Sequence, residues 1–471
     1  MIVFDELPVG DMMLANGTID SRRFPGFAAL ARGSTWFRNA STVYDSTKKA
    51  VPAILDGALP VAGGSPSYKS HPQSIFTLMD RLGYRIHSRE EATTVCPPRL
   101  CPRRDHYGNP HYNILHDRRE RLNRTIASLR GSSRPTFTFH HSVLPHVPWV
   151  YLPSGRARTG YPPGTLPDFA TATGFYNPFL TEFNEQRHLL QVGYVDREIG
   201  RLVKRLKHTG QWRKALVVVT ADHGISFQQS FALDVVDRRE VNERNVEDIA
   251  PVPLFVKRPG QTRGRIARAY AQTTDVVPTI AHLLHAGVGF AVDGAQAFGD
   301  TVAARDGVTI ERRDLSGTIY VPAKEMEARR RAQVLRRRAL FGTGPWSGVY
   351  RLGPNRGLLK SLVSSVRRLR PGPVRATFAV PPSLARVRLS ARAVPTLAAG
   401  TITGSPTPSD RDLALAVNGR IAAVGRSFKL EADRHEYFAM NLPESRLRNG
   451  RNTMALYEVV GGSTLVPLGS I

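Results

Sequence analysis

Over roughly the first three hundred residues, short apolar runs alternate with stretches whose apolar positions recur every three or four residues. That alternation predicts an α/β fold, a mainly parallel central sheet flanked by helices. Three apolar runs end on reactive side chains. Ile2-Val-Phe4 stops at Asp5-Glu6, residues 136–139 stop at His140-His141, and residues 215–219 lead through Thr220-Ala221 into Asp222-His223-Gly224. The carboxyl ends of strands are where open α/β sheets place their ligands. The first run is short beside the usual five or six residues of a strand, so it reads as the tail of a strand whose native beginning lies upstream.

Residues 184–208 predict a helix, with Leu189, Val192, Val195, Ile199, Leu202, Val203 and Leu206 on one face and Gly210 as the stop. Asp196 and Glu198 fall within it and are expected to face solvent. Residues 151–183, rich in Pro, Gly, Thr and aromatics, predict a long loop near the strand ends. Beyond about 300 the pattern changes. Residues 324–340 predict a basic helix, and a Gly/Pro-rich link follows through Gly372-Pro373. From about 376 apolar and polar positions alternate between turn signals. Residues 413–424 predict a hairpin about Asn418-Gly419, and 453–460 a further strand. The expected organisation is a catalytic domain at 1–300, a connector at 301–375 and a small β-sandwich-like domain at 376–471.

Charge and cysteine content narrow the function only a little. The formal net charge is +26, which suits an anionic partner but is read first as an arginine-rich composition spread over solvated surface. No basic run is interleaved with aromatics, so no nucleic-acid partner is expected. Cys96 and Cys101, the two cysteines, are close enough for a local disulfide and too few for a tetrahedral zinc site. No run of about 18 apolar residues is available to span a membrane.

The chemistry concentrates at the strand ends. Asp5 and Glu6 from one and Asp222 and His223 from another could enclose one divalent cation. The imidazole favours Zn or Mn, with Ca or Mg as all-oxygen alternatives. His140 is expected to pack or face solvent, and Lys48, Lys49 and Lys257 are candidate charge partners for an anion.

The order of motifs resembles the sulfatase family of the alkaline-phosphatase superfamily. Ala53-Ile-Leu-Asp-Gly57 is similar to that family's Ala-Leu-Leu-Thr-Gly turn, and ten residues before Gly57 stands Thr47, at the nucleophile position. Leu144-Pro-His146-Val-Pro-Trp149 resembles the Pro-His-x-Pro loop. Pro253–Gly260, Thr274–Thr279 and Val292-Asp-Gly294 resemble later landmarks. Thr47-Lys-Lys-Ala-Val replaces the Cys- or Ser-x-Pro-Ser-Arg of formylglycine sulfatases. Threonine and the Asp-His pair resemble instead the phosphotransferase branches, lipoteichoic-acid synthases and phosphoethanolamine transferases. The resemblance implies metal-assisted attack by unmodified Thr47 on a phosphate or sulfate ester, with His146 or His141 contacting the anion or protonating the leaving oxygen. It also implies a lipid- or glycan-linked substrate outside the cytoplasm and a membrane link through a missing N-terminal segment. The alternative is an inactive scaffold whose β-rich tail binds envelope glycans.

Overall fold

The computed structural model describes residues 1–101, 109–159, 177–228, 237–379, 382–404, 410–429 and 435–471. Two compact units emerge. The first comprises Met1–Pro148, Val195–Ser226 and Asp237–Arg336, and the second Trp149–Tyr194, Phe227–Val236 and Arg337–Ile471.

The first unit is built on a seven-stranded sheet. Its strands are β1 (Ile2–Asp5), β2 (Thr35–Phe37), β3 (Arg85–Glu90), β4 (Thr136–Pro145), β5 (Val217–Ala221), β6 (Leu254–Lys257) and β7 (Arg265–Ala267). Their spatial order is β3-β4-β1-β5-β6-β2-β7. Pairing is parallel from β3 through β5 and between β2 and β7, while β6 runs antiparallel to both its neighbours. The mainly parallel sheet expected from the apolar runs is thus present, with one reversed strand. Strand β1 is central and fully buried, which is why three consecutive apolar residues suffice to mark it.

Helices flank this sheet. Thr47–Asp56 packs Val51, Ile54 and Leu55 into a core shared with Val3, Phe76, Phe139 and Val218. The helix predicted at 184–208 extends over Pro178–His208. Asp196 and Glu198 do not face solvent as their charge suggested; both are buried. The Asp196 carboxylate accepts from the backbone N–H of Gly26 (3.0 Å) and Phe27 (2.7 Å), and Glu198 pairs with Arg201 at 2.7 Å. Gly26 permits this burial, because a Cβ there would stand 1.9 Å from the Asp196 carbonyl oxygen. A two-stranded hairpin, β8 (Gly307–Glu311) with β9 (Thr318–Pro322), follows, and then the basic helix Ala323–Phe341.

In the second unit two mainly antiparallel sheets, one five-stranded and one four-stranded, carry the C-terminal alternation. The hairpin Asp412–Val417/Arg420–Arg426 turns at Asn418 and Gly419, both with positive φ, as a type I′ turn requires. Part of the expected 151–183 loop, residues 160–176, lies outside the described residues. Cys96 and Cys101 form the disulfide that their spacing allowed. Among the described residues no helix is long and apolar enough to cross a membrane.

Candidate functional site

Three neighbouring strands deliver the side chains, and two backbone hydrogen bonds hold their ends together. The Asp222 N–H donates to Phe4 O (2.9 Å), and the Leu7 N–H donates to His223 O (3.0 Å). Asp222 Oδ1 then accepts from the backbone N–H groups of His223 (2.6 Å) and Glu6 (3.3 Å), fixing one carboxylate oxygen between the two turns. Gly224 is required here, since a Cβ would lie 2.2 Å from Asp248 O. Glu6 itself sits at φ 57°, a left-handed conformation that costs a non-glycine residue and is tolerated where surroundings impose it.

Thr47, the first residue of its helix, meets this cluster. Its Oγ1 lies 3.2 Å from His223 Nε2 and 3.5 Å from Asp5 Oδ1. The His223 Nδ1 lies 2.9 Å from Gly224 O, which assigns Nδ1 as the protonated nitrogen and turns the Nε2 lone pair toward the cluster. His223 Nε2 is 3.6 Å from Asp222 Oδ2 and 4.0 Å from Asp5 Oδ1. On β4, His141 reaches the same place, with Nε2 3.9 Å from Asp222 Oδ2. Ligand atoms of Asp5, His141 and Asp222 lie within 4.8 Å of one another, all buried.

This chemistry fits a divalent cation. Asp222 Oδ2 and both ring nitrogens of His141 are buried without a hydrogen-bond partner, an arrangement that costs folding free energy unless something else takes up the carboxylate oxygen and the one imidazole lone pair. Burial pushes the Asp5 carboxyl well up, and the charges of Asp222 and then Glu6 push it further. Burial also lowers His141 to about 4, leaving it neutral, the form that ligates metal. Within the wider network, Arg238 and Arg239 face Glu6 and lower the neighbouring Asp5 carboxyl, Arg239 also holds Asp237, and Arg313 joins Asp237 to Asp45.

Glu6 and His146, named from sequence as metal-type and acid–base residues, form a second group beside the first. Glu6 Oε1 accepts from Arg238 Nη2 at 2.7 Å and lies 3.6 Å from His146 Nε2. Burial raises the Glu6 carboxyl, but Arg238, His146 and Arg239 together hold it well below the usual range. His146 Nδ1 is 2.7 Å from Val147 O, so Nε2 is left as an acceptor, and burial lowers its pKa to about 4. Arg118 donates to the carbonyls of His146 (2.7 Å) and Pro148 (2.6 Å), holding the Pro-His-x-Pro loop.

His140, on the opposite face of β4 from His141, is packed: Nδ1 meets Thr125 Oγ1 at 2.7 Å and Nε2 meets Glu91 Oε1 at 2.9 Å. The lysines are not brought to the site. Lys48 is exposed, and Lys49 Nζ donates to the carbonyls of Val61 and Gly63. Lys257 ends β6, which is antiparallel, so it pairs with Val217 at the far edge of the sheet and donates to Ala215 O at 3.1 Å. Arg238, Arg239, Arg313, Asp45 and Asp237 were not found from sequence. The one available signal was the position of Asp45, two residues before Thr47.

The sulfatase family model matches residues 1–286. The multifunctional alkaline phosphatase superfamily protein PehA of Trinickia caryophylli is 31% identical over 102 residues, 21% of this chain and 18% of its own length. The lipoteichoic acid synthase of Staphylococcus saprophyticus subsp. saprophyticus is 27% identical over 135 residues, 27% of this chain and 21% of its own length. The chain therefore matches about a fifth of the length of either relative. Among solved structures, a phosphonate monoester hydrolase from Silicibacter pomeroyi shares 20% identity over 68% of this chain and 80% of that one, with a TM-score of 0.45. With more than half of its residues under one family model, the chain belongs to the sulfatase family.

Proposed function

We propose that this protein is a metal-dependent phospho- or sulfoester hydrolase or transferase that uses Thr47 as its nucleophile. The observation that carries the reading is Thr47 Oγ1 at 3.2 Å from His223 Nε2 and 3.5 Å from Asp5 Oδ1, beside the buried Asp5–His141–Asp222 cluster. Asp5, Asp222, His141 and His223 would hold one divalent ion, with Glu6 adjoining; Zn or Mn suits the imidazole content. Such an ion supplies charge to the anionic substrate and lowers the pKa of a nearby hydroxyl.

The residues account for the rest of the chemistry. Thr47 Oγ1 loses its proton to solvent and bonds to the phosphorus or sulfur. The bond to the leaving oxygen breaks, and the departing alcohol takes up a proton from solvent. In the second step His146, neutral and with Nε2 as acceptor, takes the proton of the incoming water or acceptor hydroxyl, whose oxygen bonds to the phosphorus or sulfur as the bond to Thr47 Oγ1 breaks and Thr47 regains a proton from solvent. An extracytoplasmic, lipid- or glycan-linked substrate is favoured by the likeness to a lipoteichoic acid synthase and by the disulfide, which suits an oxidising compartment. Convergence of Thr47 on the buried cluster argues against an inactive scaffold.

The test measures bound metal and turnover of a phosphate monoester, a phosphodiester and a sulfate ester, with Thr47→Ala and Asp222→Asn alongside. Turnover that vanishes with Thr47→Ala, with a phosphoryl or sulfuryl adduct trapped on the Thr47 peptide of the wild type, supports the reading. A wild type that binds no divalent metal and turns over none of the three defeats it.

A further inference from the structure

A composition that favours arginine adds cations but does not remove carboxylates. Residues 328–409 hold no Asp or Glu, 82 consecutive residues with 16 Lys and Arg, where the chain's ratio of 39 acidic residues in 471 would place about seven. Most of this stretch belongs to the second unit, which takes in Arg337–Ile471. Its middle, residues 358–370, forms a strap on the five-stranded sheet.

Hydrogen bonds tie the strap down at both ends. The Lys360 and Val363 N–H groups donate to Ile421 O (2.9 Å) and Gly419 O (3.0 Å), and the Leu369 N–H donates to Leu465 O (3.0 Å). Arg367 and Arg368 pair in parallel with Thr464 and Leu465. Between these ties Val363 joins a buried cluster that includes Ala414, Ile421, Val459 and Leu465, with Leu358, Leu359 and Val366 packed against it. That inward set leaves the outward side chains without a structural task. Lys360, Arg367, Arg368 and Arg370 are exposed, and none pairs with a carboxylate among the described residues. Leu362 and Leu369 stand among them, 44% and 45% exposed. Val460, paired with the same Thr464 that faces Arg367, is 46% exposed. Three of the nine large apolar side chains exposed among the described residues thus lie on the strap or beside it.

The combination selects the partner. A soluble polyanion would neutralise the cations but give the leucines nothing to enter. A second copy of this chain would set like charge against like. An anionic lipid surface answers both, with headgroups for the guanidinium and ammonium groups and acyl chains just beneath for the leucines.

We propose that residues 358–370 dock on a membrane surface rich in anionic phospholipid, with Lys360, Arg367, Arg368 and Arg370 at the headgroups and Leu362 and Leu369 inserted between them. Neither Thr47 nor a metal ion takes part, so this contact stands or falls apart from the catalytic reading.

The full chain is to be co-sedimented with vesicles of phosphatidylcholine alone and with phosphatidylglycerol added, at low salt and at about 1 M, where the Debye length falls to about 3 Å. Binding is expected to the anionic vesicles only and to weaken with salt. Each cation at such a surface contributes about fivefold in affinity, so Lys360→Gln, Arg367→Gln and Arg370→Gln together should weaken it about 100-fold. Leu362→Ser with Leu369→Ser, every charge kept, should lose about tenfold or more. Melting should match wild type in both variants, since all five side chains are exposed. Should the triple variant fail to melt cooperatively, Arg367→Gln with Arg370→Gln decides, at about 25-fold. Wild-type binding to neither vesicle, or equally to both, overturns the proposal, as does a folded charge variant within about threefold of wild type. A leucine variant that binds as wild type does, and is displaced by dextran sulfate, overturns it too, by assigning the surface to a soluble polyanion.

Discussion

Replacing Asp222 by Asn should separate the cost of the buried carboxylates from their use. In the metal-free protein Asp5 and Asp222 repel one another, and both are cut off from solvent. The amide of Asp222→Asn would keep an oxygen to accept from the N–H groups of His223 and Glu6, as Asp222 Oδ1 does now. It would remove only the unpartnered Oδ2. The metal-free variant is therefore expected to be at least as stable as the metal-free wild type. Metal behaves oppositely. At a free ion concentration of 100 Kd the wild type gains about 2.7 kcal/mol. Loss of outer residues around a metal weakens binding about 10- to 100-fold, and loss of a charged ligand should cost no less. At the same ion concentration a 100-fold weaker site gains only about 0.4 kcal/mol. The assay is chemical unfolding after chelation, with and without added Mn or Zn. A variant that is destabilised without metal and still gains the full wild-type increment with it would refute the reasoning.

Other perturbations test the frame around the site. Glu91 accepts from Arg121 and the Val143 N–H, and pairs with His140, all buried; Glu91→Gln should cost about 3–5 kcal/mol in urea unfolding. A loss under about 1 kcal/mol would contradict that. Gly224→Ala would press a Cβ against the Asp248 carbonyl, so melting should fall and metal affinity with it; unchanged values of both would show that the backbone gives way. Burial pushes Asp196 up to about 7 against the opposing N–H groups of Phe27 and Gly26. The folded chain thus holds a proton that the unfolded chain releases near its ordinary value. That stabilisation is complete below about pH 4 and is lost as the pH rises through about 7. Wild type minus Asp196→Asn stability should accordingly shrink between about pH 4 and pH 7, and a flat difference over that range would exclude the shift.

What could be read from sequence followed one physical rule. A buried parallel strand shows as an unbroken apolar run, and its carboxyl end marks where function begins. Asp5, His141, Asp222 and His223 were all singled out that way, and Thr47 from its spacing to Gly57. The Arg238–Glu6 and Arg313–Asp45 pairs join residues 232 and 268 positions apart, and such pairs impose no period on the chain. Lys257 misled because antiparallel β6 turns the strand-end rule around. Asp196 misled because its burial depends on the absence of a side chain at Gly26 in a distant segment, not on its own helix.

The placement of β1 also bears on how the molecule is made. Ile2 pairs with His140 on one side and Val219 on the other, so an early strand becomes the keystone of a sheet whose other stones arrive later. At typical synthesis rates roughly 200 residues separate it from β5 by about 10–40 s. Throughout that interval Ile2, Val3 and Phe4 have no complete sheet to enter. Such non-local closure is slow, and it leaves this apolar segment exposed to aggregation until its partner strands arrive.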